Sequence, residues 1–375
     1  MSYPAREHAP LPPSSAHCWV HCAGWRSLHS AFPDDGDTVP AMEGTAAHWC
    51  FEQMFAGVIP EVGASAPNGV AVTDEMLDGA ELYVDTVRSM VPAGVHVYVE
   101  DKLMMANVVH EANWGTPDTF AIAPGVIWLF DYKYGHTYVE EFENWQCIDY
   151  SAGIYDALSP KNTPPDNTVV HITIVQPRVF NRGTPVRTWT TTIGALKTYW
   201  QRLAAAASMA MCDDAPCVPG DWCEHCNGRH ACEALQRTAL KDTDKAFSSI
   251  PLVLPPLAAA RELRSIQRSL KMMEARATGL EQQLLDLCRK GTDVPGYGIE
   301  RAQGRQRWTR QIPEVIALGQ MFGLKLDKPG VITPKQAIKM GVPAGVVGQM
   351  SDEPLGEWRL VEVTTDKARK AFGGS

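Results

Sequence analysis

The sequence predicts an α/β fold: one mixed sheet flanked by helices, with a smaller C-terminal extension. Three observations carry that class. Helical and strand patterns alternate over residues 42–211 in the order helix, strand hairpin, helix, strand, helix. One strand, "VIWLF" from Val126, is a continuous apolar run of the kind buried inside a sheet. From about Lys241 the mixture gives way to one long helical pattern. At 375 residues the chain can bury a sizeable core.

Up to Pro40 the chain is rich in Pro, Ser, His and Asp, and is irregular apart from a short piece around "HCWVHCAGWRSLH". A helix follows over about Met42 to Ala56, with Ala47, Cys50, Phe51, Met54 and Phe55 at core-facing spacing. A Thr-Asp cap opens a second helix in "TDEMLDGAELYVDTVRSMV". Then come a strand-rich block ("VHVYVEDKLMM", "GTPDTFAIAPGVIWLFDYKYG"), a helix in "EEFENWQCIDYSAGIYDAL", and a strand in "NTVVHITIVQPRV". "RTWTTTIGALKTYWQRLAAAASMAM" leads into an Ala-rich helix, and a cysteine-rich turn runs from Cys217 to Cys232. A long helix, "LAAARELRSIQRSLKMMEARATGLEQQLLDLCRKG", ends at a glycine, and a strand pair in "YGIERAQGRQRWT" follows. The boundaries read from this are 1–238 for the main domain, 239–292 for the long helix and its linker, and 293–375 for a small α+β extension.

A hydrophobic content of 45% and a charged content of 21% suit a soluble globular protein. No apolar run is long enough to span a bilayer, and "MSYPAREHAPLPPSS" lacks the apolar stretch of a signal peptide, so a cytoplasmic location is expected. Ten cysteines without an export signal point to a metal or redox role rather than disulfides. The net charge of −9 gives no global field for nucleic acid, although a local basic groove would suffice to track phosphates.

The candidate chemistry sits where the greasy strand ends in Asp131 and Lys133, which are two apart and so share a face. If Pro124-Gly125 is the hairpin loop, Asp118 faces Asp131. Two like charges opposite each other are destabilising unless a cation such as Mg²⁺ or Mn²⁺ lies between them. Pro-Gly is not a favoured two-residue hairpin turn, and a slip of one would move one acid to the other face. Gly44 and His48 share a helix face, where glycine lets a backbone or ligand approach beneath the imidazole. Gln146 and Tyr150 share a face of a later helix. Glu100, on the preceding strand, reads as a surface acid, and Glu43 as a residue behind the site.

Taken in order, G-x-x-x-H at Gly44–His48, "GTPD" with Asp118, "DYK" with Asp131 and Lys133, and Q-x-x-x-Y at Gln146 and Tyr150 resemble the PD-(D/E)XK nuclease superfamily. Within it they resemble the RecB-like exonucleases, over roughly residues 15–235. The resemblance implies a restriction-endonuclease-like core. Asp118 and Asp131 would hold one or two Mg²⁺ or Mn²⁺ ions, with His48 and the Tyr132 backbone carbonyl as further ligands. Lys133 would orient or activate the attacking water or stabilise transition-state charge, and Gln146 and Tyr150 would position DNA or Lys133. "CEHCNGRHAC" places Cys223, Cys226 and Cys232 as C-x-x-C-x₅-C. AddB-like and CRISPR-associated members look the same, and close such a set with an upstream cysteine around a [4Fe–4S] cluster. Cys22 is the best fourth ligand here, Cys18 the runner-up, and structural Zn²⁺ the alternative metal.

The wording of the motifs looks most like a phage or prophage group acting in a bacterial cell. No P-loop appears, so the nuclease would stand apart from any helicase motor. The implied function is a DNA exonuclease acting on linear ends in recombination or repair, with a single-strand annealing protein as a suggested partner. The alternatives are a DNA-binding or assembly protein on a nuclease scaffold, and a structure-specific endonuclease. Residues 261–310 hold eleven basic and six acidic residues, a local +5. Arg305, Arg307 and Trp308 are the candidates there to track phosphates and stack a base. The long helix is equally a candidate partner or homo-oligomer surface.

Overall fold

The computed structural model describes residues 9–32, 38–179, 183–245, 255–303, 307–326, 333–352 and 355–362. The chain divides into two units, Met1–Ala277 and Thr278–Ser375. Both helix and strand patterns of the first unit are realised around a five-stranded sheet. In chain order its elements are the short helices α1 (Ala16–Trp19) and α2 (Trp25–Ser30), then α3 (Val39–Phe55) and α4 (Asp74–Met90). Strands β1 (Val97–Val99), β2 (Leu103–Met104), β3 (Trp114–Gly115), β4 (Thr119–Ala123) and β5 (Val126–Tyr132) follow. After them come α5 (Trp145–Asn162), β6 (Val169–Val175), β7 (Val186–Thr192), α6 (Ile193–Ala210), α7 (Glu233–Lys245) and the start of α8 (Pro256–Arg289).

The sheet runs β1-β4-β5-β6-β7. All neighbours are antiparallel except β5 and β6, which α5 joins as a crossover. β5 is buried over six of its seven residues, with helices on both faces, which is why it reads as an unbroken apolar run. Ile127 and Leu129 pack toward Ile148, Leu196 and Trp200 of α5 and α6. Trp128, Phe130 and Tyr132 pack toward Phe51 of α3 and Tyr83 of α4. Truncating a core side chain such as Leu129 to Ala costs about 2–5 kcal/mol.

The hairpin keeps the register expected of a two-residue Pro124-Gly125 loop, with Ala123 opposite Val126 and Thr119 opposite Phe130. Gly125 has φ 78, the left-handed value that a Pro-Gly type II turn demands at its second central position. Two expectations need correction. The helix expected from Glu140 begins only at Trp145, because Glu143 is left-handed (φ 53) and the Asn144 side chain accepts from the Cys147 amide at 3.1 Å. "RTWTTT" is a fifth strand, β7, paired with β6 over seven residues rather than an approach to α6. Its alternating threonines are good strand formers whose polarity hid them.

In the second unit, β8 (Tyr297–Gln303) and β9 (Arg307–Trp308) precede α9 (Ile312–Met321), α10 (Pro334–Lys339), α11 (Ala344–Gly348), β10 (Ser351–Asp352) and β11 (Leu355–Glu362). The expected β8–β9 pair does not form. β8 pairs with β11 and β9 with β10, partners too distant in the chain for a local pattern to show. Among the described residues no helix is long and apolar enough to cross a membrane.

One buried acid lies apart from the sheet's end. Asp149 is fully buried; its Oδ2 accepts from Asn113 Nδ2 at 2.8 Å and its Oδ1 has no hydrogen-bond partner. Burial pushes its carboxyl up to about 8, against the opposing Asn113 hydrogen bond. The folded chain therefore keeps a proton that the unfolded chain releases near pH ~4, so this group removes stability as pH climbs from about 4 to about 8. Asp149→Asn is expected to raise the Tm at pH 8 by at least about 2 °C and to flatten the fall between pH 5 and pH 8, as read by thermal melts.

Candidate functional site

Three acids from three adjacent strands stand in one row at the end of the sheet. β1 pairs Val99 with Thr119, and the next step is a hydrogen bond from the Glu100 amide to the Asp118 carbonyl (3.0 Å). Extending the β4–β5 register by one sets Asp118 opposite Asp131. The row is Glu100, Asp118, Asp131. Glu100, expected to be a surface acid, has a side chain only 14% exposed and lies beside the site. Its φ of 49 is strained for a non-glycine residue. The signal that would have found it, the β1–β4 register, is not written in local sequence.

Cations answer the row. From α3, His48 Nδ1 lies 3.2 Å from Asp118 Oδ1 and 4.0 Å from Glu100 Oε1. The Tyr132 amide donates to Asp118 Oδ2 at 2.6 Å. Lys133 Nζ sits 3.0 Å from Asp131 Oδ2 and donates to Gln146 Oε1 at 2.8 Å. Gln146 Nε2 in turn donates to Asp131 Oδ1 at 3.0 Å. One amide at the start of α5 thus holds both the acid and the amine. Tyr150, one turn further along α5, is buried and hydrogen-bonds Gln146. The Tyr132 phenol packs on the opposite face with His48, Phe51 and Tyr83, so its link to the site is through its backbone.

The two aspartates titrate in opposite directions. Burial raises Asp131 to about 6, with Asp118 adding to the rise and Lys133 opposing it. Burial would raise Asp118 too, but His48, Lys133 and the Tyr132 amide overcome it and hold that carboxyl below its usual range. Burial alone would discharge Lys133 and His48; the neighbouring carboxylates outweigh it and keep both pKa values raised.

The donor set suits a cation. One ligand atom each from His48, Glu100 and Asp118 lie within 4.8 Å of one another. Asp131 Oδ2 is buried and accepts no aligned hydrogen bond, although Lys133 is in ion contact with it. Carboxylates with one imidazole are the ligands of Mg²⁺ and Mn²⁺ sites. At Gly44 the expected close backbone approach is absent: a Cβ there would meet nothing within 4 Å. Glu43 turns instead to Arg178, which also grips Glu75.

A second cluster lies where α1 and α2 meet the segment before α7. Cys22, Cys217, Cys223, Cys226 and Cys232 line one cavity with Trp25 and Trp222. Backbone amides point at three of these sulfurs: Val218 to Cys22 (3.3 Å), Gly220 to Cys223 (3.4 Å) and Leu235 to Cys232 (3.4 Å). Cys18 does not line the cavity; its sulfur lies 3.3 Å from His17 Nε2. Sequence analysis passed over Cys217. A Cβ on Gly24 would lie 2.5 Å from the Cys217 sulfur, so glycine is what lets the two segments close. The hydrogen bonds Gly24 N to Pro216 O (2.9 Å) and Arg26 Nε to Ala210 O (2.8 Å) tie them further.

The basic candidates fall in the second unit. Arg305 lies outside the described residues, Arg307 is in β9, and Trp308 is half-buried. Trp308 packs against the core of Val315, Leu318 and Val347.

The fold and this site define a mixed α/β protein with an acid row, an imidazole and a buried amine at one end of its sheet. The chain belongs to the family described as "Protein of unknown function (DUF2800)", whose model matches residues 8–326. Among solved structures it is similar to a protein of Eubacterium rectale described as "Putative exonuclease", at 11% identity, over 55% of this chain and 86% of that one, with a TM-score of 0.30. It is also similar to SSO0001, at 10% identity, over 59% and 95% of the two chains, with a TM-score of 0.23. Likeness this faint leaves the chemistry to the chain's own geometry.

The site predicts its own metal response. In Mn²⁺ titrations followed by calorimetry, Asp118→Ala is expected to abolish binding. Gln146→Ala, which frees Asp131 and Lys133 from their shared partner, is expected to weaken it about 10–100-fold.

Proposed function

We propose that this chain is a metal-dependent DNA nuclease of the PD-(D/E)XK kind, acting as an exonuclease on linear ends. The observation that carries the reading is the row Glu100–Asp118–Asp131, backed by His48 and by a lysine two residues after the last acid. An acid row alone would repel itself, and a phosphodiester, itself an anion, would be repelled too. A divalent cation held by these groups removes both objections, and supplies Lewis-acid activation of water and phosphate.

The chain's own residues then take distinct parts. His48, Glu100, Asp118 and Asp131 would hold the cation. Asp118 stays ionised, since its carboxyl is held below the usual range. Lys133 keeps its proton, because the carboxylates raise its pKa against the effect of burial. It would orient a water through its N–H and offset the negative charge that grows on phosphorus-bound oxygens. Gln146 fixes the Lys133 ammonium in place. Tyr150 keeps its phenol proton, as burial, Asp118 and Asp131 push its pKa well up, and it steadies Gln146.

The cysteine cavity offers four thiolates, a donor set that suits either an iron–sulfur cluster or structural Zn²⁺, and the resemblance to the RecB-like nucleases favours the cluster. Cys22, Cys223, Cys226 and Cys232 would hold a [4Fe–4S] cluster and fasten α1 and α2 to the end of the main unit. Protein purified without oxygen is expected to contain iron and a broad absorbance near ~400 nm. Zinc without iron would refute the cluster.

The activity is tested with end-labelled linear and closed circular DNA, single- and double-stranded, in Mg²⁺ or Mn²⁺. Loss of linear DNA alone is expected. Asp131→Ala should abolish it, and Lys133→Ala should slow it about 10²–10³-fold. Cutting of circles would make the enzyme an endonuclease. DNA binding without any cleavage would instead favour a binding protein on a nuclease scaffold.

A further inference from the structure

Helix α8, which runs from the first unit into the second, carries an apolar seam. Ala259, Leu263, Ile266, Leu270, Met273, Ala277, Leu280, Leu284 and Leu287 recur at alternating steps of four and three. These nine positions make four heptads in which every a and d residue is apolar, the signature of a coiled coil. A helix buried in a globular core follows a 3.6-residue period and shows a broader stripe.

The helix does have an inner face, and it is a different one. Ser269, Met272 and Ala275 are buried, and Met272 and Ala275 pack with Cys223, Cys232 and Leu235. The seam is open over its first half: Leu263 is 56% exposed, Leu270 52% and Ile266 45%, while Met273 packs partly against that inner cluster and Leu284 and Leu287 are half-buried. Consecutive large apolar side chains this open on one helix face call for a partner.

Charge selects which partner. With Leu263, Leu270, Ala277 and Leu284 at a, Arg276 falls at g and Glu281 at e. Neither has an oppositely charged residue three or four positions away on its own helix, so the usual intrahelical pairing is closed to both. In a parallel pair of identical helices, a g residue meets the e' residue five positions further along the partner. Arg276 of one copy then meets Glu281 of the other, twice by symmetry. The remaining complete g–e' pairs in this register, Glu262 with Gln267, Ser269 with Glu274 and Gln283 with Cys288, bring no like charges together.

We propose that α8 pairs with α8 of a second copy of this chain as a parallel two-stranded coiled coil. The proposal is independent of the nuclease reading, because it uses none of the residues of either cluster. A nuclease dimerised this way would carry two sites on one assembly.

The test is sedimentation equilibrium on the full chain at micromolar concentrations. Wild type is expected at twice the chain mass. Leu263→Glu with Leu270→Glu, both at exposed positions, should give the chain mass with unchanged far-UV circular dichroism. Arg276→Glu should raise the dimer dissociation constant about tenfold, and adding Glu281→Arg should restore it, because the swap rebuilds the pair only in the parallel register. A wild-type monomer, an assembly larger than a dimer, a double variant that stays dimeric, or a swap that fails to restore would each overturn the proposal.

Discussion

Three carboxylates set side by side at the end of a sheet are a debt that the surrounding structure is arranged to offset. Two unit charges about 4 Å apart interact by roughly 4 kcal/mol at the effective dielectric of a protein surface, and the repulsion grows with burial. The Glu100–Asp118–Asp131 row is largely buried. The hairpin turn at Gly125 sets its register, α3 brings His48 to one end, and the β5–α5 crossover brings Gln146 to the other. The strained backbone at Glu100 and Glu143 lies on either side of the same arrangement. The left-handed turn at Glu143 delays α5 so that its first turn carries Gln146 to the end of β5.

This explains why two aspartates on neighbouring strands behave differently. Asp118 has an imidazole and a backbone amide, so its charged form is favoured. Asp131 has the stronger burial and shares Lys133 with Gln146, so its charged form is less favoured. An ammonium pinned between an acid and an amide is held in one place.

The first and last parts of the main unit are brought together by small residues. Gly24 admits the Cys217 sulfur, and Gly228 lies so near Leu28 that a Cβ there would meet its Cγ at 2.5 Å. The cavity that results is lined by five cysteines and two tryptophans together with Leu28, Val218, Pro219 and Leu235. The inner face of α8 covers this region through Met272 and Ala275, while Leu263, Ile266 and Leu270 of its heptad seam stay exposed. One helix thus serves two surfaces, and its sequence carries two periodicities at once.

Much of this was legible before any coordinates. The apolar run at Val126, the cap at Thr73, and the spacing of Asp118, Asp131, Lys133, Gln146 and Tyr150 are local properties, and local properties survive in sequence. The hairpin register was legible only to within a slip of one, and the structure settles it with the left-handed Gly125. Glu100 was not, because its place depends on how β1 pairs with β4 across an intervening β2–β3 excursion. Cys217 was not, because only the approach of Gly24 sets it in the cavity. Strand pairing in the second unit joins residues more than forty positions apart, with nothing local to announce it. The sequence by itself determined which groups could do chemistry. The tertiary structure decided which of them share a charge, since electrostatic repulsion and burial act through space and not along the chain.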